Sequence, residues 1–253
     1  MGTSSSAKGR KSTSPMVPPH ADANPGQPVP APEGQRFRGF RTEFGRAVAG
    51  AGGGSLSAAL GKYARNATGG VAVGPRRFGT AYTAGGALVG VLNDLQQGGT
   101  GAEFAGIDLS SLNGRPLAEA IQAIAQALAP ENADADLIRI AVQEALAEVL
   151  PETASFEPAD LDDDALIAVL IEFFTRIIFQ DIVNDAGDAW NKAPDQDRTI
   201  EAENELFDII HAAVDRHLSP ALANGIQNMT RAQVEAQERL AMDAIWAEWE
   251  GNE

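Results

Sequence analysis

Apolar residues recur at helical spacing through most of the second half of the chain. Leu117, Ile121, Ile124 and Leu128 lie three or four residues apart behind Pro116, a residue suited to a first helical turn, and Pro130 ends the run. Leu137, Ala141, Ala145 and Val149 repeat the pattern behind Asp134 and Asp136, whose charges suit the positive end of a helix, and Pro151 stops it. The acidic stretch Glu157–Asp164 then opens a long apolar run over residues 165–183. Glu172, Arg176 and Gln180, each four residues after the last, draw one polar stripe along it, so it reads as a buried core helix and not a membrane span. Ile200, Phe207, Ile210, Val214 and Leu218 outline another apolar face that should end near Pro220. Thr230 and Gln233 form a capping-box pattern ahead of a last helix with Val234, Ala241, Ile245 and Trp249 on one side.

The first half is built differently, because 22 of the 26 glycines fall in residues 1–106. Leu56–Leu60 and Phe78–Leu95 look helical, yet glycines at 50–54, 69–70, 85–86 and 98–99 are expected to divide this region into short helices. Gly86 and Gly90, one helical turn apart, would let another helix approach closely. Residues 1–36 hold seven of the fourteen prolines, many serines and few large apolar side chains, a composition expected to leave them disordered. The predicted architecture is therefore all-α: a disordered basic tail over 1–36, a Gly-rich region of short helices over 37–113, and an acidic helical bundle over 114–253.

Charge follows the same division. Residues 1–100 carry 11 Lys+Arg against 4 Asp+Glu, whereas the remainder carries 8 against 31, within a total of −16. The two parts should prefer different partners, and a phosphate-bearing or acidic site would attract only the first. No cysteine is present, which excludes disulfides, thiolate metal sites and a Cys nucleophile. The N-terminus lacks the apolar core of a signal peptide, so a cytoplasmic location is expected.

No catalytic motif assembles. Gly61-Lys62 is followed by Tyr63, and Leu56 stands where a phosphate-binding loop needs its first glycine. Residues 52–57 lack the third dinucleotide glycine. The Asp run near 160–164 lacks the alternation of a calcium loop and serves better as a helix cap. His211 and His217 are six apart and point to different helix faces; His211 with Asp208 and Asp215 reads as a solvated helix cluster. Arg36-Phe-Arg-Gly-Phe-Arg41 alternates cations with aromatics as a nucleic-acid-binding segment would. The acidic remainder disfavours a long polyanion, so Phe37, Phe40 and Phe44 are read as one side of a short helix. Neither enzyme activity nor a cofactor of its own is expected.

Met1-Gly2 carries one specific chemistry. Removal of the initiator methionine exposes an unhindered α-amine, with a pKa of about 8 and so about a tenth uncharged at neutral pH. Thr3, Ser4, Ser5 and Ser6 follow with little bulk, able to thread into a deep pocket; Gly2 with Ser6 also fits the myristoylation consensus. The opening MGTSSS, the segments SPMVPPHAD, RFRGFRTEFGR and ALGKYARNATGG, and RRFGTAYTAGGAL together resemble the QatB family of the four-gene Qat anti-phage defence system. An aromatic usually follows the paired prolines in that pattern, where this chain has His20. The resemblance implies a non-catalytic chain with three partners: a QueC-like enzyme (QatC), a P-loop ATPase (QatA) and a TatD-like metal nuclease (QatD). QueC-like enzymes activate a deazaguanine carboxylate with ATP, and zinc is expected there too, before passing it to an amine. On this reading Gly2 supplies the amine and Thr3–Ser6 the threading segment. Val17, Pro18 and Pro19 would hold the tail extended beside His20, with Arg36, Phe37, Arg38, Phe40 and Arg41 at the docking surface. A helical scaffold bridging ATPase and nuclease, or a nucleic-acid adaptor through Arg36–Arg41, remain the alternatives.

Overall fold

In a computed structural model the apolar periodicities become helices, and the protein is all-α. The structure describes residues 10–50, 52–98, 103–104, 107–151, 155–223 and 225–252. Its helices are α1 (Arg38–Val48), α2 (Leu56–Lys62), α3 (Gly79–Gln96), α4 (Leu117–Leu128), α5 (Ala135–Val149), α6 (Asp163–Ala186), α7 (Gln196–Leu222) and α8 (Arg231–Glu250). A two-residue antiparallel pair, Glu103–Phe104 with Ile107–Asp108, is the one β ladder among the described residues.

Local chemistry sets several helix ends as expected. The Asp162 carboxylate accepts from the Ala165 N–H at 2.8 Å at the start of α6. At α8 the predicted capping box closes: the Thr230 N–H donates to Gln233 Oε1 at 2.8 Å, and the Gln233 N–H donates to Thr230 Oγ1 at 3.3 Å. Other expectations shift. Pro220 lies inside α7, which continues to Leu222 although a proline there has no N–H to offer the carbonyl four residues back. Ile200 is 47% exposed, so the buried face of α7 starts later than its apolar pattern. In α5 the buried stripe is Ile138, Ala141, Val142, Ala145 and Leu146, one residue round from the predicted one.

The chain forms two compact units, and neither is continuous in sequence. Their boundaries do not follow the expected divisions at residues 36 and 113. The first unit comprises Met1–Phe78, Ile178–Ala213 and Met242–Glu253; the second comprises Gly79–Ile177 and Val214–Ala241.

The core of the first unit is aromatic. Phe40 lies 4.9 Å from the Tyr63 ring, Phe44 packs edge-on to Trp190 at 4.8 Å, and Trp246 lies between Phe78 at 5.3 Å and Trp249 at 5.2 Å. A π-helical turn, Tyr63–Ala67, extends α2, and the Trp246 indole N–H donates to Thr68 Oγ1 at 2.9 Å just beyond it. Residues 10–36 belong to this core, which overturns the expectation of a disordered tail over that span. They form turns and irregular backbone, but Met16, Val17 and Ala21 are buried, and Met16 and Val17 cluster with Val73. Their carbonyls find donors in arginines. Arg76 makes a two-pronged contact with Asp22, at 3.1 and 2.8 Å, and also donates to the carbonyls of Asn24, Gln27 and Pro28. Composition alone missed this means of satisfying a backbone that lacks secondary structure.

In the second unit the glycines of α3 do not break the helix. Gly85, Gly86 and Gly90 all lie inside its 18 residues and face α8. A Cβ on Gly86 would come within 2.9 Å of the Arg231 carbonyl oxygen and of Glu235 Cγ, so the close-approach reading of Gly86 and Gly90 holds. Glu238 of α8 lies against Gly85, almost fully buried, and neither carboxyl oxygen has a hydrogen-bond partner among the described residues. Burial, reinforced by Glu235, raises its pKa well above the usual carboxyl range.

Two tests follow from this packing. Gly86→Ala should lower stability by about 1–3 kcal/mol in urea denaturation, because a backbone carbonyl cannot yield and overpacking outweighs the gain of about 1 kcal/mol in helix propensity. Glu238 favours its neutral form in the folded state, so its contribution is complete below its unfolded value of 4.5 and fades as pH rises through the raised folded value. Glu238→Gln should therefore flatten the fall in stability with rising pH that the unsubstituted protein shows, as read from melting temperatures across pH.

Candidate functional site

The best-built polar site lies in the first unit, where the described N-terminal segment begins. Asp181 and Asp185, one turn apart on α6, present two carboxylates to Tyr63 from the π turn and to Arg77 from a 3-10 turn over Gly74–Phe78. Tyr63 donates its hydroxyl proton toward Asp181 Oδ2 at 2.7 Å, with Asp185 Oδ2 at 3.2 Å. Arg77, 3% exposed at its side chain, bridges both carboxylates at 3.2 and 3.1 Å. Arg10 completes the group, with Nη1 2.8 Å from Asp181 and 3.4 Å from Asp185.

Two guanidiniums thus meet two carboxylates in a nearly dry site. Burial first, and Asp181 beside it second, push the Asp185 carboxyl up to about 7. Asp181 is also the main reason that Arg10 clings to its proton more strongly than usual. Burial raises the Tyr63 phenol well above its ordinary value, and the two carboxylates add to the effect. The phenol remains a donor and has no poise as a base.

Backbone contacts tie the same site to residues 10–15. Arg41 donates through Nε to the Asp185 carbonyl at 2.8 Å and through Nη2 to the Arg10 carbonyl at 2.7 Å. Arg36 donates to the carbonyls of Ser14 and Pro15 at 3.0 and 3.3 Å. Both guanidiniums lie over the buried Phe37 ring, at 4.6 and 4.8 Å from its centroid. The arrangement clamps a length of irregular backbone that begins, among the described residues, at Arg10.

The sequence-predicted site residues divide accordingly. Gly2, Thr3, Ser4, Ser5 and Ser6 lie outside the described residues. Val17 is buried, and the Ala21 N–H donates to the Pro18 carbonyl at 3.0 Å, so Val17-Pro18-Pro19 enters a turn and is not an extended polyproline segment. Pro19 and His20 are exposed. Phe37, Phe40 and Phe44 are core, as the helical reading has it. Of the three arginines proposed for nucleic-acid contact, Arg36 is buried and Arg41 half-buried on carbonyls, leaving only Arg38 exposed, where it donates to the Gln35 side chain at 3.1 Å. Tyr63, Arg77, Asp181 and Asp185 were missed. Their one sequence signal was the pair of aspartates four apart at the end of an apolar helix.

Among the described residues, no three His, Asp or Glu side chains converge as metal ligands, and no helix is long and apolar enough to cross a membrane. Fold and site together define an all-α protein whose most elaborate polar chemistry fastens its own N-terminal segment. A family model described as Qat anti-phage system associated protein QatB matches residues 69–246, more than two thirds of the chain, and the chain belongs to that family. It is a component of an anti-phage defence system and a partner of the other Qat proteins. The match covers α3 to α7 and most of α8, so the helical body carries the family signal, whereas the resemblance noted in sequence rested on the first hundred residues. No curated protein and no solved structure matches the chain.

The clamp makes its partners unequal. Asp181→Ala should cost about 3 kcal/mol in chemical denaturation, because it weakens the pairing of a buried guanidinium. Arg10→Ala, at the outer edge, should leave the melting temperature nearly unchanged while hydrogen exchange quickens across residues 11–15.

Proposed function

We propose that this chain is a non-catalytic component of its defence system and that its N-terminus is the substrate of a QueC-like partner enzyme. The Gly2 α-amine takes the place of ammonia. It attacks the activated carboxyl carbon of a deazaguanine and forms an amide as the nitrogen gives up a proton. The carboxylate oxygen departs with the nucleotide of the ATP that activated it. This chain supplies the amine and the approach, while the partner supplies the chemistry, ATP and zinc included.

The observation that carries this reading is the clamp at Arg10. Ion pairs to Asp181 and Asp185, and the Arg41 bond to its carbonyl, fix that residue on the folded body. Residues 2–9 therefore depart from a defined point. Eight residues reach at most about 28 Å when extended, enough to enter a deep pocket while the body docks outside it. A scaffold role for the helical body is compatible with this and needs no separate site.

Co-expression with the QueC-like partner should produce a protein heavier by the deazaguanine acyl group, located on Gly2 by peptide mass spectrometry. Gly2→Pro should abolish the addition, because the hindered secondary amine acylates poorly. An unmodified N-terminus, or a modification that survives this substitution, would overturn the proposal.

A further inference from the structure

A second site lies in the first unit, on the outer side of α1. A cavity of about 970 Å³ opens between α1, the glycine loop 52–54 and the 3-10 turn Gly187–Lys192. Its size is that of a cofactor or nucleotide pocket.

The charges around it are one-sided. Arg38, Arg41, Arg46 and Lys192 line the cavity against a single carboxylate, Asp188. The nearby Glu43 does not redress the balance: it is held by Lys62 at 2.6 Å, whereas Arg46 lies 3.9 Å away and is 64% exposed. Lys192 lays its stem across Gly45, where an added Cβ would come within 3.1 Å of Lys192 Cγ, and its ammonium has no ion pair among the described residues. The N–H groups of Gly52, Gly53 and Gly54 likewise make no hydrogen bond among the described residues. Donors therefore gather here in excess of acceptors, which is the chemistry of an anion site.

Ala49 and Ala189 also line the cavity and give it a small apolar floor. Such a floor accepts a flat, weakly polar ring. We propose that this cavity binds a nucleoside polyphosphate, with the phosphates among Arg38, Arg46, Lys192 and the glycine-loop amides and the base on the Ala49 and Ala189 floor. The surplus of positive charge suits a polyphosphate. A nucleic-acid polymer fits less well, because the stripe of arginines it would need is turned inward at Arg36. The site is independent of the amide-forming reading, and either can fail without the other.

Isothermal titration of the full chain with ATP, GTP and inorganic triphosphate tests the assignment. At least one nucleotide should bind more tightly than triphosphate alone, and binding should weaken as salt rises. The exposed double substitution Arg46→Glu with Lys192→Glu should weaken it by about tenfold or more. Arg139→Glu, on α5 in the other unit, should leave it unchanged, and circular dichroism checks that both variants are folded. The proposal is overturned by any of three results: no nucleotide binding at millimolar concentration, equal binding to the double variant, or inorganic triphosphate binding as tightly as the nucleotides. Displacement of nucleotide by single-stranded DNA at far lower concentration would overturn it too, in favour of a polymer.

Discussion

A backbone without helix or strand still has to pair its carbonyls, and in this protein arginine does that for residues 10–36. Arg36, Arg41 and Arg76 direct their guanidinium N–H groups at seven backbone oxygens, six of them in that segment. A guanidinium suits the task because its five donors lie in one plane and serve several acceptors at once, whereas lysine offers a single point of charge. The positive charge of the first hundred residues is in large part structural. It had suggested an external polyanion, yet much of it is spent on the chain's own oxygens.

The carboxylates of Asp181 and Asp185 anchor this arrangement to a helix. Neither would be tolerated in an apolar core alone, and Arg77 would be no better without them. Together with Tyr63 they form a group in which each charge is answered and most donors are used. One Asp185 oxygen and two Arg36 nitrogens have no hydrogen-bond partner among the described residues, so the network is not fully saturated. It also ties Arg10, the first described residue, to the folded body.

The helical class was legible because the apolar spacing after residue 114 is regular and its caps are standard, as Thr230 with Gln233 shows. Two features were not. Gly85 and Gly86 resembled a break because their entropic penalty was counted without the helix that packs on them, although the four-residue spacing to Gly90 pointed the right way. Residues 10–36 resembled disorder because composition measures the apolar area a segment can bury and says nothing of donors supplied from afar. Arg76 lies 54 residues from Asp22, and Arg77 lies 104 from Asp181. No local pattern marks such pairs, so the clamp emerged only with the fold.

The first unit also depends on residues near the other end of the chain. The Val71 N–H donates to the Glu250 carboxylate at 2.7 Å, Arg65 donates to the Asn252 carbonyl at 2.7 Å, and Trp246 is buried beside Thr68. During synthesis, then, the turn and loop over residues 63–71 cannot complete their packing until residues 246–252 follow them out of the ribosome, so this unit closes only when nearly all of the described residues have been made.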